Sequence, residues 1–474
     1  IFYEFCFKMD RNILQGKRIA ITAVDLEQQE HRGLAVMAKS LIELLKKYGA
    51  DVYLITSINS FRLNRVNKYT IKKELKDEIF IADIFTGLQK GLSYREKFKK
   101  DITYKFKFIF NLIFSIVILH LKNFNLKNYT FIIKQIHRDI NIFSPRLAYL
   151  KNVKGFIFVN DLFNSSRLRS MRLISRCPKL KISKKDIDLI ITSCPLSLLN
   201  PDKKSANIVQ IITDAIPIQV SSHPENPVTY YNRLCDAHLS KTLYISQATQ
   251  STIKSLLDIK NQKINSNEIL YPMPSLNIDL LSEAVNIPSI RGINNPFIVF
   301  NSSIVERKRV ELSINFFKES DLPNRNCMLL IAGKIHDTDY SRYIKKICKK
   351  NNRIVLLDYV SELEKVWLFL NASLLISTAS SEGFGIPVLD AATLNLPVLA
   401  SNIASHVEIK NLTKKKNLNL CDIKNEKEWI NHLNELKLFD KEYDNKLLRI
   451  EQFKESLEYL EYEALGKIKK LMSN

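Results

Sequence analysis

Ser381-Glu382-Gly383-Phe384-Gly385-Ile386-Pro387 holds two of the chain's eleven glycines within three residues. Glycine is scarce in this 474-residue sequence, against a typical share of about 7 %. The pair lets the backbone come close to a partner. Leu374–Ser377 before it reads as a strand, and 388–394 after it as a helix whose first turn holds Pro387. Such a turn puts free backbone N–H groups and the positive end of a helix dipole at the C-terminal edge of a parallel sheet. Open α/β sheets bind ligands there, and the arrangement suits an anionic phosphate. Taken alone, the motif also fits a tight turn that binds nothing.

Outward from it the alternation is regular. Strands are expected at Phe297–Asn301, Met328–Ala332, 354–357, Leu374–Ser377 and Val398–Ser401, with helices at 310–317, 340–350, Glu362–Asn371 and 388–394. Short links between them predict a doubly wound parallel sheet. Glu306-Arg307-Lys308-Arg309 follows the first of these strands. A charge run is ordinarily a solvated loop. At the same sheet edge as Gly383 and Gly385, it can instead clamp a diphosphate and stabilise a phosphate leaving group. Asp390, eight residues after Glu382, falls on the first helical turn. It reads either as a solvated acid or as a second carboxylate facing the crevice, suited to sugar or ribose hydroxyls.

The N-terminal half opens a second α/β unit. A strand at 17–22 leads to a helix at 34–48, on which Met37, Leu41, Leu44 and Leu45 recur at helical spacing. Gly49 stands where a C-cap belongs, and 51–55 reads as the next strand. Residues 57–185 are basic and aromatic-rich without a clean period, an insertion-like region. Strands return at 188–191, 208–212, 243–245 and 269–271. The expected organisation is an N-terminal extension (1–16), an N-terminal Rossmann-like acceptor domain (17–285), a linker (286–296), a C-terminal domain (297–440) and a helical segment (441–474).

With 46 % apolar and 25 % charged residues, the chain has the composition of a folded globular protein. Its net charge of +22 favours anionic partners. The charge gathers at 165–185, with eight Lys/Arg and no acid, and at 90–107, with seven Lys/Arg against two acids. No aromatic-basic module accompanies it, so nucleic acid is not the expected partner. The apolar run 108–121 is shorter than the ~20 residues that span a bilayer. It reads as a buried element or as a membrane-surface contact. Seven scattered cysteines without a C-x-x-C pattern argue against a Cys-rich zinc site and for a reducing compartment.

The stretch from Ser381 to Ala391, followed by Leu396-Pro397-Val398-Leu399-Ala400-Ser401-Asn402 and Glu408, resembles the retaining glycosyltransferases of family 4. Arg307-Lys308, Ala332-Gly333-Lys334 and Leu357-Asp358-Tyr359-Val360-Ser361 sit at the spacings found there. The resemblance is good over 296–423. It is weaker in the N-terminal half, at His31-Arg32-Gly33-Leu34, Thr213-Asp214-Ala215-Ile216-Pro217 and Ser246-Gln247-Ala248-Thr249. It implies an α/β protein of the GT-B fold: two Rossmann-like, doubly wound parallel-sheet domains facing an interdomain cleft. By the same resemblance Glu382 contacts the donor sugar, Arg307 and Lys308 serve the diphosphate, and Asp390 holds the ribose. Gly333, Lys334, Tyr359, Val360, Gly383, Phe384, Gly385 and Ile386 complete the donor pocket, and Gly33 brings an amide from the other domain. Thr213 and Asp214 stand on the acceptor side.

The resemblance further implies retention of configuration without metal or cofactor, the nucleotide-sugar (GDP- or UDP-linked) being the donor substrate. Three positions depart from the pattern: Asp390 where a glutamate is usual, Thr213 where histidine is frequent, and Ser302 in place of an arginine. The expected activity is transfer of a hexose to a surface polysaccharide or lipid-linked saccharide. Val305-Glu306-Arg307-Lys308 resembles mannosyltransferase-type sequences and inclines the choice to mannose. The basic patches then suit a cytoplasmic protein held peripherally at the anionic inner face of the membrane. The alternative is a catalytically weak GT-B protein that binds nucleotide-sugars.

Overall fold

The computed structural model describes residues 11–28, 33–58, 85, 125–126, 129–133, 145–199, 202–257, 268–438 and 446–473. His31, Arg32, the basic run 90–107 and the apolar run 108–121 lie outside them.

Among the described residues the N-terminal half builds ten strands: β1 (Arg18–Thr22), β2 (Asp51–Ile58), β3 (Asn125–Leu126), β4 (Tyr129–Ile133), β5 (Gly155–Asn160), β6 (Lys179–Leu180), β7 (Leu189–Thr192), β8 (Asn207–Ile212), β9 (Lys241–Tyr244) and β10 (Glu268–Ile269). Eight of them form one sheet in the order β10-β9-β8-β7-β1-β2-β5-β4, while β3 and β6 pair separately. The eight-stranded sheet is parallel except at its edge, where β4 runs antiparallel to β5. The helix Gly33–Lys47 crosses over between β1 and β2, as its apolar spacing predicts, and Gly49 ends it at φ +91°.

Residues 57–185, read from the sequence as insertion-like, supply β4 and β5 to this sheet. Phe156, Ile157, Phe158 and Val159 of β5 are all buried. A strand covered on both faces shows no polar alternation, which is why the period-two signal was missing. In the expected N-terminal extension, Leu14 is fully buried and its N–H donates to Tyr48 O at 2.9 Å, so 11–16 packs onto the domain.

The C-terminal half builds β11 (Phe297–Asn301), β12 (Met328–Ala332), β13 (Ile354–Asp358), β14 (Leu374–Ser377), β15 (Val398–Ser401) and β16 (Leu418–Cys421). Their order is β13-β12-β11-β14-β15-β16, all parallel. Relative to sequence this is 3-2-1-4-5-6, the doubly wound order, and the winding reverses between β11 and β14. Helix starts are marked by Thr338 with Ser341 and Ser361 with Glu364, each a reciprocal capping box. The edge strand β16 and the helices Ala404–Thr413 and Glu426–Asn434 extend the expected set.

No strand or helix occupies 286–296, the expected linker. The helix Lys446–Ser473 does not join a sheet and returns to the N-terminal domain. Glu461 on it accepts from Tyr48 Oη at 2.8 Å and pairs with Lys47 at 2.6 Å, and Lys470 pairs with Glu268 at 2.5 Å. One apolar cluster runs from Leu45 through Leu281, Trp367 and Leu389 to Leu465 and Ile468. The two domains and the last helix therefore share buried surface.

Candidate functional site

The loops that follow β11 and β14 leave the sheet at the point where its winding reverses. The first carries Arg307 and Lys308 in a single 3-10 turn, Glu306–Lys308. The turn is tied down by Thr378, whose hydroxyl lies 3.2 Å from Lys308 O and 2.8 Å from Arg309 O, and by Ser380 N donating to Arg307 O at 2.8 Å. The second loop carries Glu382. Arg307 Nη1 donates to Glu382 Oε2 at 3.0 Å and to Ser381 O at 2.9 Å, and Lys308 Nζ pairs with Glu382 Oε1. Lys308 is buried, and desolvation pushes its ammonium well below the ordinary lysine range, with Arg307 pushing the same way. Burial likewise lowers Arg307, while Asp214 of the other domain pulls it back up. Two desolvated cations share one carboxylate, which leaves the turn receptive to an anion. The side chains fill the position, and a cavity of only about 10 Å³ remains beside Ser302, Lys308, Glu382 and Gly385.

Glycine is required at two points here. Gly385 has φ +109°, and a Cβ there would stand 3.1 Å from His406 Cδ2. Gly333 has φ +148°, and a Cβ would fall 1.8 Å from Ser302 O. His406 is fully buried; Nδ1 faces Ser401 O at 2.8 Å, and Nε2 has no hydrogen-bond partner. Burial pushes its pKa down to about 4, and Lys308 adds to the effect.

The N-terminal domain closes on the same loop. The hydroxyls of Ser246 and Thr249 lie 2.8 and 3.1 Å from the carbonyl O of Gly383. Thr213 O would be 2.5 Å, and Asp214 Cβ 3.0 Å, from a Cβ on Gly383. Both Thr213 and Asp214, expected on the acceptor side, are thus brought to the loop that carries Glu382 and Gly383. Burial raises the Asp214 carboxyl, while the Ile216 N–H, donating at 2.9 Å, and Arg307 oppose the rise. Glu408 crosses in the other direction and accepts from Gln247 N at 2.6 Å and Ala248 N at 3.1 Å, capping the helix Gln247–Leu256. Phe384 packs on Tyr271 at 5.7 Å between ring centres, and Lys467 lies over the other ring of that pair, Tyr271, at 5.0 Å.

Other expected residues fall differently. Asp390 does not face the crevice as expected: it is fully buried, Ser275 N and Oγ donate to its two oxygens at 2.5 Å, and Lys365 pairs with it at 3.3 Å. The helix begins at Ile386, so Asp390 falls past its first turn and points its short side chain at Ser275 of the 271–277 segment and at Lys365 of the helix Glu362–Asn371. Gly33 opens its helix exposed, with nothing within 4 Å of a Cβ. Lys334 and Val360 are half-buried and Tyr359 is exposed, grouped at the ends of β12 and β13, where Gly333 N donates to Asp358 O at 2.9 Å. Ile386, half-buried, begins the helix Ile386–Thr393.

Sequence reasoning missed a polar cluster on the N-terminal side. Asp25 follows β1 and accepts from Ser193 Oγ at 2.8 Å, and burial raises its carboxyl. Arg233 lies within electrostatic reach of both Asp25 and Asp214 and pairs with Glu225. His223 Nδ1 accepts from Glu225 N at 3.2 Å, which leaves the proton of the neutral ring on Nε2; burial lowers its pKa, and Asp214 partly restores it. No local motif announces these residues. Their one signal is position, after β1, β7 and β8 at the sheet's own reversal of winding. A larger cavity, about 690 Å³, lies at the opposite edge of the C-terminal sheet beside Phe297, Leu374 and Pro397, away from the Arg307–Glu382 loops.

Residues 287–448 match the family described as "Glycosyl transferases group 1". No curated protein sequence matches the chain significantly. Among solved structures, Anabaena Alr3699/HepE in complex with UDP and glucose is similar over 97 % of this chain and 100 % of its own, with 13 % identity and a TM-score of 0.53. A mutant of S. aureus TarM, in complex with Fondaparinux, alpha-GlcNAc-glycerol and UDP, is 15 % identical with a TM-score of 0.51, covering 97 % of this chain and 100 % of its own. Sucrose-phosphate synthase from Thermosynechococcus elongatus reaches a TM-score of 0.51 at 11 % identity, over 96 % of this chain and 99 % of its own. The expected GT-B architecture, two α/β domains built on parallel sheets, is the architecture observed.

Proposed function

We propose, from a C-terminal domain that matches the group 1 glycosyl transferases, that this chain moves a hexose from a nucleotide-sugar to a saccharide acceptor with retention of configuration. The observation that carries the reading is Arg307 and Lys308 converging on Glu382 where the C-terminal sheet reverses its winding. A diphosphate arriving there takes over the two cations, and the freed Glu382 carboxylate can accept from sugar hydroxyls. The cations then stabilise the charge that grows on the phosphate as the sugar–oxygen–phosphorus link breaks. The acceptor oxygen bonds to the sugar on the same face, and its proton passes to the departing phosphate oxygen. No step in this scheme is assigned to a metal or a cofactor.

Mannose is the hexose favoured by Val305-Glu306-Arg307-Lys308, with GDP-mannose as donor. UDP in the two similar structures makes UDP-sugars the competing donor class. The proposed acceptor is a surface polysaccharide or lipid-linked saccharide reached at an anionic inner membrane face. Met171 and Leu173 are exposed beside Arg167, Arg172 and Arg176, a mixed apolar and basic surface of the kind that binds such a face. Among the described residues no helix is long and apolar enough to cross a membrane.

A catalytically weak binding protein is the second reading, favoured by Asp390 being sealed against Ser275 and Lys365. A thermal-shift screen of GDP, UDP and their sugars, followed by transfer assays on an acceptor panel, separates the readings. Stabilisation by one nucleotide class with turnover abolished in Lys308→Met and Glu382→Gln supports the transferase. Stabilisation without turnover supports the binding protein, and no response to any nucleotide overturns both.

A further inference from the structure

We propose that Cys421, Glu428 and His432 form a site for a divalent transition-metal ion of the zinc type, separate from the Arg307–Glu382 loops. Cys421 ends β16; Glu428 and His432 stand four residues apart on the helix Glu426–Asn434 that follows it, and so share one face. Their donor atoms all lie within 4.8 Å of one another. A zinc ion at its usual bond lengths holds its ligands about 3.5 Å apart, so side-chain rotations on the order of 1 Å close the set.

The donor chemistry selects the ion. Thiolate and imidazole suit zinc or cobalt, whereas calcium and magnesium require oxygen ligands. A thiolate and a carboxylate together cancel the ion's two charges, so the closed site carries no net charge into a half-buried position. Three protein ligands leave a fourth position for water. Asn425 Nδ2 donates to Glu428 Oε2 at 3.1 Å, the kind of outer contact that orients a ligating carboxylate.

Binding converts the Cys421 thiol to the metal thiolate and releases one proton. The consequence for the fold is a clasp. Among the described residues β16 is an edge strand paired with β15 alone, and Trp429 on the facing helix is fully buried and stacked on Phe316 at 5.1 Å. An ion at Cys421 would tie that edge strand to its helix. Glu428 and His432 are only partly buried, so an ion reaches the site from their side.

The test titrates Co(II) and Zn(II) into the metal-stripped full-length chain. One equivalent should bind, with the near-ultraviolet thiolate-to-cobalt charge-transfer band that only a cysteine ligand produces. Cys421→Ser should abolish the band. His432→Gln, a substitution at a half-buried position with circular dichroism as the check on folding, should weaken zinc by roughly tenfold or more. Zinc should also raise the Tm of the wild-type chain, and raise that of His432→Gln by less at the same zinc concentration. Absence of binding overturns the proposal. So does a band that survives Cys421→Ser, which would place the ion on another cysteine, or an affinity unchanged in His432→Gln.

Discussion

At the scale of single residues, His406 and Gly333 show how the candidate site is held. His406 is fully buried with its pKa at about 4, against 6.5 for a free imidazole, because desolvation disfavours the charged ring. Between those values the unfolded chain binds a proton that the folded chain refuses, so stability rises with pH. The contribution is complete above about pH 6.5 and lost as pH falls towards 4, a difference of about 3 kcal/mol. Urea unfolding as a function of pH should show this acid limb, and His406→Gln should flatten it. An unchanged limb in the variant would assign the loss to other groups. At Gly333 both the left-handed φ and the backbone of Ser302 exclude a side chain. Gly333→Ala should lower stability by about 3 kcal/mol or more, read from the urea midpoint. Neither effect is legible locally. Gly333 stands out in the sequence only through its neighbours Ala332 and Lys334, and His406 by nothing.

At the scale of elements, the loop after β14 meets both domains. Its C-terminal half, from Gly385, starts the helix Ile386–Thr393; Gly383 is instead pressed on Thr213 O, Asp214 and Ile245 of the other domain. Gly383 has no left-handed φ, so an alanine there strains the contact between domains rather than the turn itself. Gly383→Ala should therefore leave nucleotide binding within a few-fold, as calorimetry would read it. Transfer should fall by roughly a hundredfold, the scale on which a misplacement of about 1 Å acts. Loss of nucleotide binding instead would mean that the alanine had deformed the Glu382–Gly385 loop itself. Five strands of the C-terminal sheet and the four helices between them were readable to within a residue or two, because buried parallel strands alternate with amphipathic helices, whereas the edge strand β16 was not. Nor were β4 and β5, because β4 meets β5 antiparallel at an edge and so stands outside the regular alternation of parallel strands and helices, and β5, buried from Phe156 to Val159, shows no polar alternation.

At the scale of the whole molecule, polar contacts add direction to the apolar surface that the domains share. Glu408 caps the helix Gln247–Leu256 from across the cleft, and Glu461 anchors the last helix to Tyr48 and Lys47. Glu408→Gln keeps the shape and removes the charge that the helix N-terminus attracts, a loss of about 1 kcal/mol. Small-angle scattering should show a larger radius of gyration for the variant, and an unchanged radius would place closure elsewhere. The fold class, the order of the C-terminal elements and the loops bearing Arg307, Lys308 and Glu382 were determined by the sequence by itself. They depend on periodicity, scarce glycines and charge along the chain, which are local quantities. Only the tertiary structure decided that Asp390 turns to Ser275 and Lys365, that Ser246 and Thr249 hold Gly383, that Arg233 comes within reach of both Asp25 and Asp214, and that His223 comes within reach of Asp214. Those pairings join segments distant along the chain, and burial and hydrogen-bond satisfaction act on distance in space, which spacing along the sequence does not encode.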